Sequence, residues 1–445
     1  MTFSYTHSPS RAGTVYLITL LVVLVVAIIA VVMADGAQHR LRVQDTAIAE
    51  QQCRQAAIGV MRAAVNDLAS SQAAGVLPGL VSVTSTGETV GNCAVVVLGR
   101  DPYGQKMVYD LIREAGKIDA SNAAFPVLMA IPGMTDEVAA AIMDWRDVDE
   151  EVYNDIGAEA PDAAYQGAPV PYAPRNGPFQ TVDELRLVRG VTDNLFFGED
   201  ANHNGRLDPG EDRDGNGQLT LGLRDLMSVD NREPATNIDG EERIEIVSDP
   251  RRMRQPQARL IGLFGEERGN ILTEQMRNGA PFANRLDFVN ALTLSDDEIL
   301  VVWNNFKGAE GRLGLIDAWS VPETILRNLV SSEIANAILA ARPATFTPNP
   351  AWLVRALNRA QTREAGAYLT SGSYQLRADI IAVENSGAGW HRLEARIDCS
   401  NGTPYLSQLR STNSAGWPFP WISPQQLRRQ VSENDLLTLL TTERN

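Results

Sequence analysis

The feature that most constrains this chain is a run of 21 uncharged residues, Thr14 to Ala34 (TVYLITLLVVLVVAIIAVVMA). A helix needs about 20 such residues to cross the hydrocarbon core of a bilayer. A cleavable secretory signal has an apolar region of only ~7–15 residues closed by a small-x-small site. Here the run is longer and continues into a polar helical pattern, so the sequence predicts a retained single span. Arg11 precedes the run, and Arg40 and Arg42 follow it in company with Asp35 and Glu50. This balance leans towards a cytoplasmic N-terminus, with about 410 residues, enough for two or more domains, on the outer side.

Beyond the span, Leu41, Ala47, Ile48, Cys53, Ala56, Ala57, Val60, Met61, Ala64, Val65 and Leu68 recur at steps of three and four, which is one face of a helix. No proline occurs between Arg11 and Val76. Helix is therefore predicted from Thr14 to about Ser71, a rod of roughly 85 Å. Strand-like runs follow at Val81–Thr84, Cys93–Leu98 and Met107–Ile112, separated by turn residues. From Ser121 to Arg363 the text is helical, interrupted by the loop Gly157–Pro178 and an Asp/Asn/Gly-rich segment between Glu199 and Gln218. Strands return at Tyr374–Val383, His391–Ile397 and Tyr405–Leu409. This order predicts an α+β fold with an all-helical insertion. Within the insertion, Gly116-Lys-Ile-Asp-Ala120 with Met134–Ile142 is similar to Gly314-Leu-Ile-Asp-Ala318 with Val330–Ile338, an internal repeat whose units end at Arg146 and Arg342.

The formal charge of −16, from 55 acidic and 39 basic residues, disfavours a general phosphate-binding surface. Ile131-Pro132-Gly133-Met134 and the helix starting near Thr135 have the form of a helix-hairpin-helix, which in many proteins grips a nucleic-acid phosphate. The surrounding Asp136, Glu137, Asp144, Asp147 and Asp149 would repel phosphate, so a compact packing unit is the favoured reading. Three cysteines, Cys53, Cys93 and Cys399, match no zinc spacing. Cys93 and Cys399 could pair in an oxidising compartment, or all three are small buried residues. The four histidines are scattered and no Gly-x-Ser-x-Gly, His-Glu-x-x-His or phosphate loop occurs, so an enzyme is not expected.

The sharpest chemical pattern is Asp200-Ala-Asn202-His-Asn204-Gly205-Arg206-Leu-Asp208-Pro-Gly-Glu211, which fits the calcium-loop pattern D-x-[DN]-x-[DN]-G-x5-E. Alternate oxygens of Asp200, Asn202 and Asn204 would point inward and the Arg206 carbonyl would join them. Asp208 would act directly or through water, and Glu211 would close the site with both oxygens. A partial loop follows at Asp212, Asp214 and Asn216, with Leu223 where a closing Glu belongs. It needs a further ligand, Asp225 or Glu199. Calcium is the expected cofactor, as a structural clamp.

Further motifs are Arg11-Ala-Gly13 before the apolar helix, Glu114-Ala-Gly-Lys-Ile-Asp119, Ile131-Pro-Gly133, Asp144-Trp-Arg-Asp147 with Asp149, and Pro178-Phe-Gln-Thr-Val-Asp-Glu-Leu-Arg-Leu-Val-Arg-Gly190. Together they resemble the minor pseudopilin K family of bacterial type II secretion systems. The resemblance implies a pilin-like fold, a long N-terminal helix packed on an antiparallel sheet, with a large inserted all-α domain of helix-hairpin-helix or SAM-like repeats and bound calcium. In these terms residues 1–13 are a prepilin leader, 14–34 the transmembrane helix, and 35–112 the first part of the pilin-like domain. Residues 113–363 are the insertion with its calcium segment at 199–218, and 364–445 the second part. It also implies cleavage between Gly13 and Thr14 by prepilin peptidase, residence in the bacterial inner membrane with the bulk of the chain periplasmic, and partnership with other minor pseudopilins and pseudopilus subunits. Most pilin-like subunits carry a Glu five residues after the cut, where it neutralises a neighbour's amine. Ile18 stands there, which suits a subunit at the filament tip.

The expected function is thus a non-enzymatic tip subunit that nucleates and caps the pseudopilus, with no nucleic-acid partner. The rival is a DNA-binding subunit of a competence-type pilus or another membrane-anchored helix-hairpin-helix protein, supported only by Arg251, Arg252 and Arg254.

Overall fold

The computed structural model describes residues 11–73, 77, 88–100, 107–108, 111–149, 151–153, 165–167, 170–201, 207–246, 253–308, 313–387, 389–419 and 422–432. Helix α1 (Arg11–Ala73) is continuous over 63 residues, about 95 Å at 1.5 Å per residue. Its large apolar side chains from Val15 to Met33 are exposed. The most apolar 18-residue window has a mean hydropathy of 3.4, and the helix is a candidate single membrane span near the N-terminus. The second half of α1 buries Cys53, Ala56, Ala57, Val60, Met61, Ala64 and Leu68 of the predicted stripe, and Ala49 besides. Leu41, Ala47 and Ile48, read as part of that stripe, are instead exposed. The helix closes tightly on the sheet at Gly389, where an added Cβ would fall 2.4 Å from the Ala49 Cβ.

The main sheet is antiparallel in the order β1 (Glu88–Val90), β2 (Cys93–Arg100), β11 (Gln375–Glu384), β12 (Trp390–Asp398), β13 (Tyr405–Ser411). The short β3 (Met107–Val108) pairs with β2 and β4 (Ile112–Arg113) with β11. The predicted strand Val81–Thr84 lies outside the described residues, and the described residues of Met107–Ile112 fall in β3 and at the start of β4. Alternation along each strand divides the side chains between two faces. Val95, Val97, Ala378, Ile380, Ala382, Leu393, Ala395 and Ile397 pack against α1, and the alanines let the helix lie close.

The opposite face is split. At one end Ala94, Val96, Leu98, Ile381 and Val383 are covered by Phe419, Leu427 and Val431, the last two from the C-terminal helix Pro424–Ser432. At the other end, Arg377 lies opposite Arg396 and Asp379 opposite Glu394, so that end of the face is charged. Salt bridges dock the helical part of the chain there. Glu114 meets Lys117 at 2.7 Å and Arg377 at 3.2 Å, Arg377 meets Glu394 at 3.3 Å, and Arg410 of β13 pairs with Asp183. Burial pushes the Glu114 carboxyl up, but Lys117, Arg396 and Arg377 outweigh it and hold it at about 2.

The helical part has its own core, running from Ile118 to Leu369. Its first unit opens with β5 (Ile118–Asp119), followed by the helices Phe125–Leu128 and Asp136–Arg146. A second opens with β9 (Ile316–Asp317), followed by the helices Glu323–Leu329 and Ser332–Ala341. Each opening strand pairs in parallel with a later one, β5 with β6 (Met227–Ser228) and β9 with β10 (Leu369–Thr370), and between them β7 (Ile244–Glu245) pairs in parallel with β8 (Phe306–Lys307). Asp119 and Asp317 are both fully buried. Asp119 accepts the Ser121 and Asn231 N–H groups, and Asp317 those of Ser320 and Gly372. Arg146, the last residue of its second helix, and Arg342, the residue just after its own, each reach back to a carbonyl just before the first helix of their unit, Ala123 and Val321 respectively.

The three cysteines are all buried. A Cys93–Cys399 pair is not what the fold brings together. Cys93 lies opposite Glu384 at one end of β11, whereas Cys399 follows Asp398, which pairs with Gln375 at the other end. Ten residues of strand separate those levels, roughly 30 Å.

Candidate metal centre

The Asp/Asn/Gly-rich segment is pinched at its base. Thr192 caps the helix Asp193–Phe197 by accepting the Leu195 N–H, and Gly198 ends it at φ 62°, a conformation that strains any residue with a Cβ. Gly198 bridges to Leu221. A Cβ added at Gly198 would fall 2.4 Å from the Gly222 nitrogen, and one at Gly222 would fall 2.4 Å from the Gly198 nitrogen. The Glu199 N–H donates to the Thr220 carbonyl at 2.8 Å. The chain thus leaves and re-enters the helical core at one point, and the described residues between Glu199 and Thr220 belong to a loop hung on two glycines.

Glu199 is buried at that neck. Its Oε1 accepts the N–H groups of Arg213 at 2.8 Å and Asp214 at 3.2 Å, and its Oε2 that of Thr220 at 3.0 Å. Desolvation pushes this carboxyl up, but the backbone donors outweigh it and hold it below the usual carboxylate range. Carboxylate oxygens of Glu199, Asp212 and Asp214 lie within 4.8 Å of one another, so the group can hold a metal ion. Asp214 is oriented by the Asn216 N–H at 3.0 Å and Asp212 by the Gly217 N–H at 3.1 Å. Three carboxylates this close repel one another unless a cation sits among them. An all-oxygen, anionic donor set suits a hard divalent cation better than zinc or copper.

Of the residues expected to bind metal, Asn202, Asn204 and Arg206 lie outside the described residues. Asp200 is fully buried, and its charge acts on Arg392 of β12, so the loop's first acid also faces the sheet. Glu211 accepts the Ala201 N–H at 3.1 Å and the Asp208 N–H at 2.9 Å, which folds the first loop back on its own start. Asp212 and Asp214 join Glu199, one of the two residues read as able to complete the second loop. The other, Asp225, sits in the charged cluster, where it acts on Lys117 and Arg224. Glu199 precedes the loop pattern, so no fixed spacing marks it as a ligand.

Other expected sites are also placed. Gly13 and Thr14 fall in the first turns of α1. The turn before the helix Asp136–Arg146 has Gly133 at φ 76°, and Thr135 accepts the Val138 N–H at 3.3 Å. Asp136 and Glu137 occupy its first turn, where a phosphate would otherwise approach. Arg251 and Arg252 lie outside the described residues.

Residues 108–197 match the family model described as type II secretion system (T2SS), protein K. Four of the motifs behind the resemblance, from Glu114 to Gly190, fall within that segment. Over 60 residues, 14% of this chain, it is 42% identical to type II secretion system protein K of Aeromonas hydrophila. The aligned stretch spans 18% of that relative's length. Among solved structures, it is similar to a chain in the GspK-GspI-GspJ complex from the enterotoxigenic Escherichia coli type 2 secretion system. That likeness has 13% identity and a TM-score of 0.39, over 81% of this chain and 97% of that one.

Proposed function

We propose that this chain, whose residues 108–197 carry the protein K domain of type II secretion, is a minor pseudopilin that caps and nucleates the pseudopilus. The match over that segment, with a long apolar N-terminal helix ahead of it, carries the reading. The role is structural rather than enzymatic. α1 is held in the bacterial inner membrane until assembly extracts it, the rest of the chain is periplasmic, and the partners are other minor pseudopilins packed along α1. Residues 35–112 and 364–445 make one pilin-like domain in this reading, because β2 from the first part pairs with β11 from the second. Residues 113–363 are its insertion. The two units opening at β5 and β9 are helix-hairpin-helix or SAM-like packing modules, with acids where a DNA-binding hairpin would need to accept phosphate.

The cation is calcium, held by Glu199, Asp212 and Asp214 with Asn216 beside them, and by the first loop from Asp200 to Glu211. It ties off a loop that would otherwise be a self-repelling acidic strand. Prepilin peptidase removes residues 1–13 on the cytoplasmic side. Mass spectrometry of the mature N-terminus tests the reading. A start at Thr14 bearing an N-methyl group is expected, and an intact Met1 on the membrane-embedded protein would sink it.

A further inference from the structure

Two of the three cysteines face each other across the seam between helix and sheet. Cys53 projects from α1 and Cys93 opens β2, with their Sγ atoms 3.5 Å apart and either thiol able to donate. Cys53 is fully buried and Cys93 is 1% exposed. The Cys53 thiol also donates to the Gly389 carbonyl at 3.7 Å, so both sulfurs sit where α1 first meets the sheet. A disulfide needs the sulfurs at about 2.05 Å. The closing movement, about 1.5 Å, is of the size that side-chain rotation supplies. Cys399, at the far end of β12, has no part in this.

We propose that Cys53 and Cys93 form a disulfide that staples α1 to the sheet. The bond is made by exchange with an external disulfide oxidant, and this rests on the reading above that puts the sheet outside the cytoplasm, in an oxidising compartment. One cysteine thiolate attacks the oxidant's disulfide, forming a mixed disulfide and expelling a thiolate. The second cysteine then attacks the chain's own sulfur in that mixed disulfide. This forms the Cys53–Cys93 bond and releases the oxidant as a dithiol, which has gained two electrons and two protons. Exchange requires a thiolate. Burial pushes both thiols up, Cys53 further, so the step belongs to folding, before α1 seats fully on the sheet.

The position gives the bond a purpose. The same helix is exposed and apolar from Val15 to Met33 and buried from Ala49 onward. Any pull transmitted through the membrane span therefore peels the seam from the Ala49 end. Cys53 is the next buried residue of the stripe, so a bond there holds the seam where peeling would begin.

The test uses the full-length chain. Membranes carrying it are denatured in an alkylating agent without reductant, digested, and analysed by mass spectrometry. In a parallel arm the purified chain is reduced, unfolded, and refolded in detergent with a mixture of reduced and oxidised glutathione. The expected result in both arms is a peptide pair linked through Cys53 and Cys93, with Cys399 alkylated. Alkylated Cys53 and Cys93 in both arms, or a link from either to Cys399, overturns the pairing. A bond formed with glutathione but absent from membranes upholds the pairing and overturns the placement of the sheet outside the cytoplasm.

Discussion

Glu114 joins the helical part of the molecule to the sheet. It is 2% exposed and is held ionised by Lys117, Arg377 and Arg396 against the penalty of burial, with its pKa brought from 4.5 to about 2. A carboxyl lowered on folding contributes stability that is fully present above its unfolded value and is lost as pH falls through its folded one. The melting temperature should therefore drop between about pH 4.5 and pH 2, and Glu114→Gln should flatten that drop. At neutral pH the same substitution leaves buried cations uncompensated and should cost about 3–5 kcal/mol in denaturant titration. Glu199 is the matching test in the loop. Glu199→Gln should weaken calcium binding at least ten-fold or so by calorimetry, while Asp225→Asn should leave it unchanged. Residue chemistry was only partly legible in advance. The calcium-loop spacing marked Asp212 and Asp214, but their convergence with Glu199 depends on two glycine backbones meeting at the neck of the loop. Nothing in a spacing rule records a contact between residues 24 positions apart, Gly198 and Gly222.

At the scale of elements, periodicity did well where one face alone is buried. The three-and-four stripe of α1 was readable because water on one side imposes a period, and the strands from Tyr374 to Leu409 as short apolar runs bounded by turn residues, although β11 and β12 are buried almost throughout. The stripe was drawn too far towards the N-terminus because Leu41 and Ile48 keep the period but are not covered by the sheet. Strand β2, Cys93-Ala-Val-Val-Val-Leu98, is apolar without alternation, and the structure explains why. Cys93, Val95 and Val97 face α1, while Ala94, Val96 and Leu98 face the C-terminal tail. That tail matched no pattern, since a nine-residue helix that works as a lid carries only two or three anchoring side chains. Leu427 is the fully buried one. Leu427→Ala should cost about 2–5 kcal/mol, measured by urea denaturation, and should leave the metal affinity unchanged. On the other face, Gly389→Ala would set a methyl 2.4 Å from the Ala49 Cβ. The expected cost is about 1–3 kcal/mol, with faster proteolysis of the α1 seam as its signature.

At the scale of the whole molecule, the acidic loop and the sheet are linked, because the charge of Asp200, next to Glu199, acts on Arg392 of β12. Saturating calcium at about 100 times its dissociation constant should stabilise the folded chain by about 2.7 kcal/mol. Chelation should lower its melting temperature accordingly, and an unchanged melting temperature would reduce the loop to a plain turn. The sequence by itself determined the uncharged apolar run long enough to cross a membrane, the continuous helix behind it, the α+β order of elements and the family resemblance. Each of these is written in local composition, period or motif, which a chain carries before it folds. Only the tertiary structure decided that the second face of the sheet is half apolar and half ionic, that Glu199 completes the acidic cluster, and that Cys93 meets Cys53 rather than Cys399. Those are meetings of residues far apart in the chain, set by strand order and register, and neither period nor spacing along one segment contains them.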